Sequence, residues 1–267
     1  MSSLDDVRRD LTDEQLALDD LVATLDDEGW RRATPSVGWN VADQMSHLAY
    51  FDAEAARAIN DPDTFATSRA ELMRAALAGT LDDYTLGVLR RTSPSELLAT
   101  WRANRTSLNE AARRLDEKTR VAWYGPSMGA TSFLSARLME TWAHGTDVAD
   151  ALGTSLPATD RLRHVARLGY ITLSWSYHVR GEQPPDGQVR VELTGPTGDL
   201  WTWGADNSVD VVQGSAREFC LVVVQRRHLD DTSLVTGDLG RHWLLRAQAF
   251  AGAPSVGPEP RRQHGTN

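Results

Sequence analysis

Through the first half of the chain, apolar residues return every three to four positions, the period of a helix with one face turned inward. Residues 4–28 carry Leu11, Leu16, Leu18, Leu21, Val22 and Leu25 on one side and are expected to form a first helix. "TPSVGW" (34–39) reads as a loop. Asn40 follows as an N-cap, with Asp43 three residues on to meet the exposed amides, and a second helix is expected through Ile59. "NDPDTFA" breaks that pattern before a short helical piece at 67–79. A third long helix spans 81–116, starting afresh at "SPSE", where Ser93 or Ser95 can cap it. "WYGPSMGATS" (123–132) is rich in turn formers, and the next helix runs from near Ser132 to Gly153, a natural C′ glycine. Long helices joined by loops predict a four-helix bundle.

After "GTSLPATD" the pattern changes. Residues 158–180 predict one more helix, stopped by "GEQPPDG". "QVRVELTGPTGDLWTWG" alternates around a Gly-Pro-Thr-Gly turn and predicts a β-hairpin, with "SVDVVQG" a third strand. In "SAREFCLVVVQRRH" the run "FCLVVV" favours strand, whereas Ser215 and Glu218 make an S-x-x-E capping box; helix is the expectation. "TSLVTGD" predicts a last strand and 240–250 a last helix. The fold class is therefore α+β in two domains: a helical bundle over 1–153, a small α+β domain over 154–252, and a disordered tail over 253–267.

Composition narrows the function. A net charge of −9 argues against nucleic acid or an anionic membrane as the main partner. No run approaches the roughly 18 apolar residues of a membrane span. The beginning, "MSSLDDVRRDLTDEQ", is acidic and polar, unlike a signal peptide. The single cysteine, Cys220, excludes an internal disulfide framework and points to a reducing cytoplasm. The expected partner is a small molecule, and the chain a monomer or homodimer.

The chemistry gathers on "ARLMETWAHGTDVADALG" (136–153). At 100° per residue, Leu134, Leu138, Trp142, Gly145, Ala149 and Leu152 form one core seam. Glu140, His144 and Asp147 fall almost opposite, among Phe133, Ala143, Val148 and Ala151 rather than among further charges. A polar stripe with apolar neighbours is enclosed, and an enclosed Glu and His need partners. Spacing alone decides little, because Asp43/His47, Asp160/His164 and Asp238/His242 repeat the acid-x-x-x-His pattern, and a salt-bridged surface histidine would show it too. The second piece is "NVADQMSHLAYFDAEAARA", where His47 sits beside the Val41, Met45, Leu48 and Ala49 stripe. One His from one helix and a Glu/His pair from another make a three-ligand metal site. Two imidazoles and a carboxylate suit Zn²⁺ or another divalent transition metal and leave positions open. Asp147 is either an outer residue that orients a ligand or a helix-end carboxylate paired with an arginine.

"GWNVADQMSHLAYFD" and "ARLMETWAHGTDVADALG" resemble the paired motifs of the DinB-like superfamily, in particular its mycothiol-dependent maleylpyruvate isomerase branch from actinobacteria. "YHVRGEQPP", "VELTGPTGDLWTWG", "GSAREFCLVVVQRRHLDDTSL" and "AQAFAG" resemble that family's C-terminal domain, so the resemblance covers nearly the whole chain. It implies a DinB-like bundle followed by a sterol-carrier-like α+β domain. It also implies a metal triad at His47, Glu140 and His144, and mycothiol as thiol cosubstrate. The family's functional arginine, in a pattern like G-S-A…W-G-R, falls on Arg226, with Val224 and Gln225 in place of the family's Trp and Gly and Arg227 adjacent. In the family, the thiol adds to an activated double bond, the bond rotates and the thiol leaves; where it stays, the outcome is S-transfer.

The resemblance thus implies a metal-dependent, mycothiol-using isomerase or S-transferase acting on a small anionic or electrophilic metabolite. Arg226 would bind a carboxylate of substrate or thiol. Two other readings stand beside it: a thiol-independent metalloenzyme of specialised metabolism, and a non-catalytic small-molecule binding protein. Trp123 and Tyr124, in the loop before the metal helix, are candidates to line the pocket. Cys220, amid "EFCLVVV", reads as a buried structural thiol.

Overall fold

A computed structural model describes residues 3–261. The chain is α+β, a helical region followed by a small sheet region, and divides into two compact units between Leu156 and Pro157. Among the described residues no helix is long and apolar enough to cross a membrane.

The helical unit contains α1 (Leu4–Val22), α2 (Asp27–Arg31), α3 (Val41–Asn60), α4 (Pro62–Leu77), α5 (Leu81–Leu86), α6 (Pro94–Ala112), the short strands β1 (Arg120–Val121) and β2 (Met128–Gly129), and α7 (Ala130–Ala151). The long helices α1, α3, α6 and α7 form the bundle, with α3 packed on α6 and α7, and α1 on α7 and α6. Leu18 and Val22 of α1, Val41, Met45 and Leu48 of α3, Leu97 and Trp101 of α6 and Val148 of α7 meet in one core. Each such side chain contributes about 1.5–3 kcal/mol by leaving water. Gly145 lets α7 be approached closely: a Cβ there would lie 3.0 Å from Leu156 and 3.5 Å from Leu18.

Local chemistry explains the helix boundaries. Asn40 and Asp43 form a reciprocal capping box, the Asn40 side chain accepting from Asp43 N at 2.9 Å. Ser93 and Glu96 form another, which selects Ser93 over Ser95. The first helix ends at Val22 rather than near residue 28, because Asp26 caps a new turn by accepting from Gly29 N at 2.8 Å. The piece expected at 67–79 starts at Pro62, since Asp61 accepts from Thr64 N and proline suits the first helical turn. The helix expected over 81–116 is interrupted by a 3-10 turn at Leu89–Arg91. The loop expected at 123–132 is narrower: Arg120 pairs with Gly129 and Val121 with Met128, so α7 begins at Ala130. Gly153 follows α7 at φ +69°, the left-handed backbone that glycine adopts at little cost.

The second unit contains α8 (Leu162–Ile171), α9 (Leu173–His178), β3 (Val189–Thr194), β4 (Leu200–Trp203), β5 (Asp210–Ser215), α10 (Ala216–Val223), β6 (Val235–Thr236) and α11 (Asp238–Leu244). The sheet order is β4-β3-β5-β6; β3 and β4 form the antiparallel hairpin, β5 runs parallel to β3, and β6 is antiparallel to β5. One helix expected over 158–180 is two, because the Thr172 hydroxyl donates to the Leu168 and Gly169 carbonyls and competes with the helical ladder. "FCLVVV" is helical, as the capping signal requires, yet the box itself does not form. Ser215 still pairs with Thr194 in the sheet and makes no side-chain cap, while Glu218 accepts from the Ser233 hydroxyl at 2.7 Å. Of the segment expected to be a disordered tail, 262–267 lies outside the described residues. Over 253–261 there is no helix or strand, but Ser255 bonds Gln225 and Gln248, and Arg261 N donates to Asp231.

Candidate metal centre

His47 stands on α3, and Glu140 and His144 lie one turn apart on α7. One ligand atom of each lies within 4.8 Å of the other two. His144 Nε2 is 3.2 Å from Glu140 Oε2, and His47 Nε2 is 3.9 Å from the same oxygen. Donors bound to one tetrahedral ion at 2.0–2.2 Å stand roughly 3.4 Å apart, so the three need little movement to share a metal. The donor set, two imidazoles and a carboxylate, suits a divalent transition ion. Burial by itself raises the Glu140 carboxyl. Hydrogen bonds and charge from His144 and His47 outweigh it and hold the group well below its usual 4.5, so Glu140 remains an anionic donor.

Around the triad the walls are aromatic. Phe51 lies 4.5 Å from the His47 ring, and Trp39 lies 5.4 Å from His47 and stacks on His144 at 6.2 Å, ring centroid to centroid. Trp39 is itself anchored, its Nε1 donating to Asp82 at 2.9 Å. Trp123 and Tyr124 extend the wall from Phe51, Tyr124 at 5.5 Å, and the Tyr124 hydroxyl donates to the buried Glu54. Trp123 is buried and stacks on Phe65.

Three polar groups were not legible as site residues in the sequence. Gln44, fully buried one turn before His47, places Oε1 2.5 Å from His144 Nδ1. Asp52 and Arg137 form a buried pair at 2.9 Å between α3 and α7, and Trp101 Nε1 also donates to Asp52 at 3.2 Å. Their only sequence signal is position: Arg137 shares a helix face with Glu140 three residues on, and Gln44 with His47. Asp147 is buried too and accepts from Ser36 at 3.2 Å.

Arg226 and Arg227 lie in the second unit, just past α10. The helix ends at Val223, and Gln225, two residues on, has a φ of +58°, the single positive value for a non-glycine among the described residues. Arg226 N and Arg227 N both donate to the Leu221 carbonyl, and Arg226 Nη1 bonds the Val224 carbonyl at 3.0 Å. Gln225 occupies a left-handed position where glycine fits at lower cost, and its amide is tied to Ala247, and to Ser255 through both amide atoms. Cys220 is completely buried, and burial pushes its thiol far above the usual range.

Comparison with known proteins identifies the lineage. Residues 3–149 match the family described as the mycothiol maleylpyruvate isomerase N-terminal domain, and the chain belongs to this family. Two uncharacterized proteins of Mycobacterium tuberculosis, from strains CDC 1551 / Oshkosh and ATCC 25618 / H37Rv, are each 45% identical over 252 residues, covering 93% of this chain and 96% of theirs. The fold is shared with a crystal structure of the mycothiol-dependent maleylpyruvate isomerase at TM-score 0.55 and 16% identity, over 85% of this chain and 92% of that one. A histidine-to-alanine mutant of that isomerase superposes at TM-score 0.56, over 89% and 96%.

Proposed function

We propose that this member of the mycothiol maleylpyruvate isomerase family is a metal-dependent, mycothiol-using isomerase or S-transferase of a small anionic or electrophilic metabolite. The observation that carries the reading is the convergence of His47, Glu140 and His144 from two helices beside a wall of aromatic rings. These residues would hold a divalent metal, Zn²⁺ by the nature of the donors. Such an ion supplies a Lewis acid that lowers the pKa of a bound thiol towards neutrality.

The chain's own groups have distinct parts in this reading. Glu140 gives the site one negative charge and two neutral imidazoles add none, so a bound divalent cation would leave the site net positive and able to attract an anionic thiolate. Trp39 and Phe51 cover the histidine rings and exclude water from one side, which strengthens the electrostatic interactions beneath them. Trp123 and Tyr124 continue the apolar wall against which a substrate chain would rest. Arg226 would bind a carboxylate of the metabolite or thiol through its guanidinium fork. Cys220 has no part in the chemistry, because a fully buried, protonated thiol is neither accessible nor nucleophilic. A thiol nucleophile would therefore have to come from a cosubstrate.

The test is turnover. Zn²⁺-loaded protein incubated with mycothiol and maleylpyruvate, or with a panel of small electrophiles, should give isomerised or thiol-adducted product, and chelator-treated protein should not. Product formation of equal rate without mycothiol would move the function to thiol-independent chemistry.

A further inference from the structure

We infer that Gln44, itself held by Thr34, is a positioning residue that keeps the His144 proton on Nδ1 and leaves Nε2 as the metal-binding lone pair. The inference rests on the metal reading of His47, Glu140 and His144 and adds the device that prepares one of the ligands.

The argument is a count of protons along one hydrogen-bonded chain. The segment before α3 is closed by an antiparallel bridge between Ala33 and Asn40. Within it Thr34 makes two bonds to the Trp39 carbonyl, from its backbone N–H at 2.9 Å and from its hydroxyl at 3.0 Å. A threonine hydroxyl has one proton, and here it is given to Trp39. What remains on Thr34 Oγ1 is acceptor capacity, which Gln44 Nε2 meets at 2.9 Å. That contact settles which end of the Gln44 amide faces which way. The amide nitrogen points to Thr34, so Oε1 points to His144 Nδ1, 2.5 Å away. Reversing the amide would set its oxygen against the committed Thr34 oxygen, a contact without a proton.

A carbonyl oxygen only accepts, so His144 Nδ1 must carry hydrogen. Without an ion the other nitrogen donates to the Glu140 carboxylate, and a bound metal would take the place of that proton, leaving the hydrogen on Nδ1 and the lone pair on the other nitrogen. That nitrogen, Nε2, is the atom that faces Glu140 at 3.2 Å, on the side of His47. Trp39, whose carbonyl anchors the chain, also stacks on the His144 ring, so one residue limits both the ring plane and the proton. Gln44 is completely buried, and water has no access from which to replace it. Ligand imidazoles are oriented in this way by a partner on the far nitrogen, and loss of such a partner typically weakens metal binding about 10–100-fold.

The experiment measures Zn²⁺ affinity by competition with a chromophoric chelator, with circular dichroism to confirm folding. Gln44→Leu, which keeps volume and removes the acceptor, should bind Zn²⁺ about 10–100-fold more weakly than wild type. Gln44→Glu restores an obligate acceptor and should stay within about threefold of wild type. Thr34→Val, which frees the amide to turn over, should weaken binding about three- to tenfold, and it decides the matter should Gln44→Leu not fold. In ¹⁵N-histidine spectra of the Zn²⁺-loaded protein, His144 should show a slowly exchanging Nδ1–H that Gln44→Leu loses. Equal Zn²⁺ affinity in wild type and Gln44→Leu, or a His144 proton on Nε2, overturns this inference and leaves the metal site standing. Folded wild type without Zn²⁺ affinity overturns both.

Discussion

Arg137 Nη2 lies 2.9 Å from Asp52 Oδ1, and neither side chain is exposed beyond 3%. The pair joins α7 to α3 near the site, with Arg137 three residues before Glu140 and Asp52 five after His47. Bringing two charges out of water gains little in net stability, but breaking such a pair leaves one charge buried alone. Asp52→Ala and Arg137→Ala should each lower the free energy of unfolding by about 3–5 kcal/mol in urea titrations. Asp52→Leu with Arg137→Met should cost less than either single change. A double variant worse than both singles would show that the pair contributes more than mutual neutralisation.

Metal removal supplies the second expectation. Wild type should hold about one Zn²⁺ per chain, while His47→Ala and His144→Ala should lose at least tenfold in affinity. Saturating Zn²⁺ at about 100 times its Kd should stabilise the folded chain by about 2.7 kcal/mol, and EDTA should reverse the shift. Full occupancy in both variants, by elemental analysis, would place the metal elsewhere.

For Arg226 the readout is binding. Arg226→Ala should leave Zn²⁺ content unchanged and weaken mycothiol or substrate affinity by about 1.5–3 kcal/mol in calorimetry, the scale of a charge-assisted contact. Arg227→Ala is the control. If it alone does the damage, the family register at "VQRR" is displaced by one residue.

A pH dependence follows from Asp19, which ties α1 to α6 through Arg102 at 2.6 Å and through Arg105. Burial pushes the Asp19 carboxyl up, but the two guanidinium groups outweigh it and the group lies below its usual 3.8. The unfolded chain therefore takes up the proton more readily than the folded one. Its contribution is complete above the usual value and fades as pH falls through the lowered one. Asp19→Asn should be less stable than wild type by about 1–3 kcal/mol at pH 7. The gap should close in acid. A gap that stays constant from pH 7 into acid would sink this account.

Gln225 gives a test of backbone strain. Gln225→Ala keeps the left-handed backbone and loses the bonds to Ala247 and Ser255, and should cost about 1–3 kcal/mol. Gln225→Gly loses the same bonds but relieves roughly 1 kcal/mol of strain, so its thermal midpoint should lie above that of Gln225→Ala.

The bundle and the hairpin were legible in the sequence because each rests on short-range regularity, and the candidate ligands His47, Glu140 and His144 because two motifs resemble those of a known family. Caps such as Asn40–Asp43 and Ser93–Glu96 act within a single turn, and helical spacing shows that Glu140 and His144 share a face. Spacing does not say what that face meets. The relations of Gln44 to His144 and of Asp52 to Arg137 span 100 and 85 residues and exist only once α3 lies against α7. The same holds for Ser215, which has the right neighbour for a capping box but is held in the sheet by Thr194. Sequence determined the succession of helices and strands and which faces are apolar, since propensity and burial are local preferences. Tertiary structure decided which polar atoms face one another, because a hydrogen bond needs its partners within about 3 Å and only helix packing sets that distance.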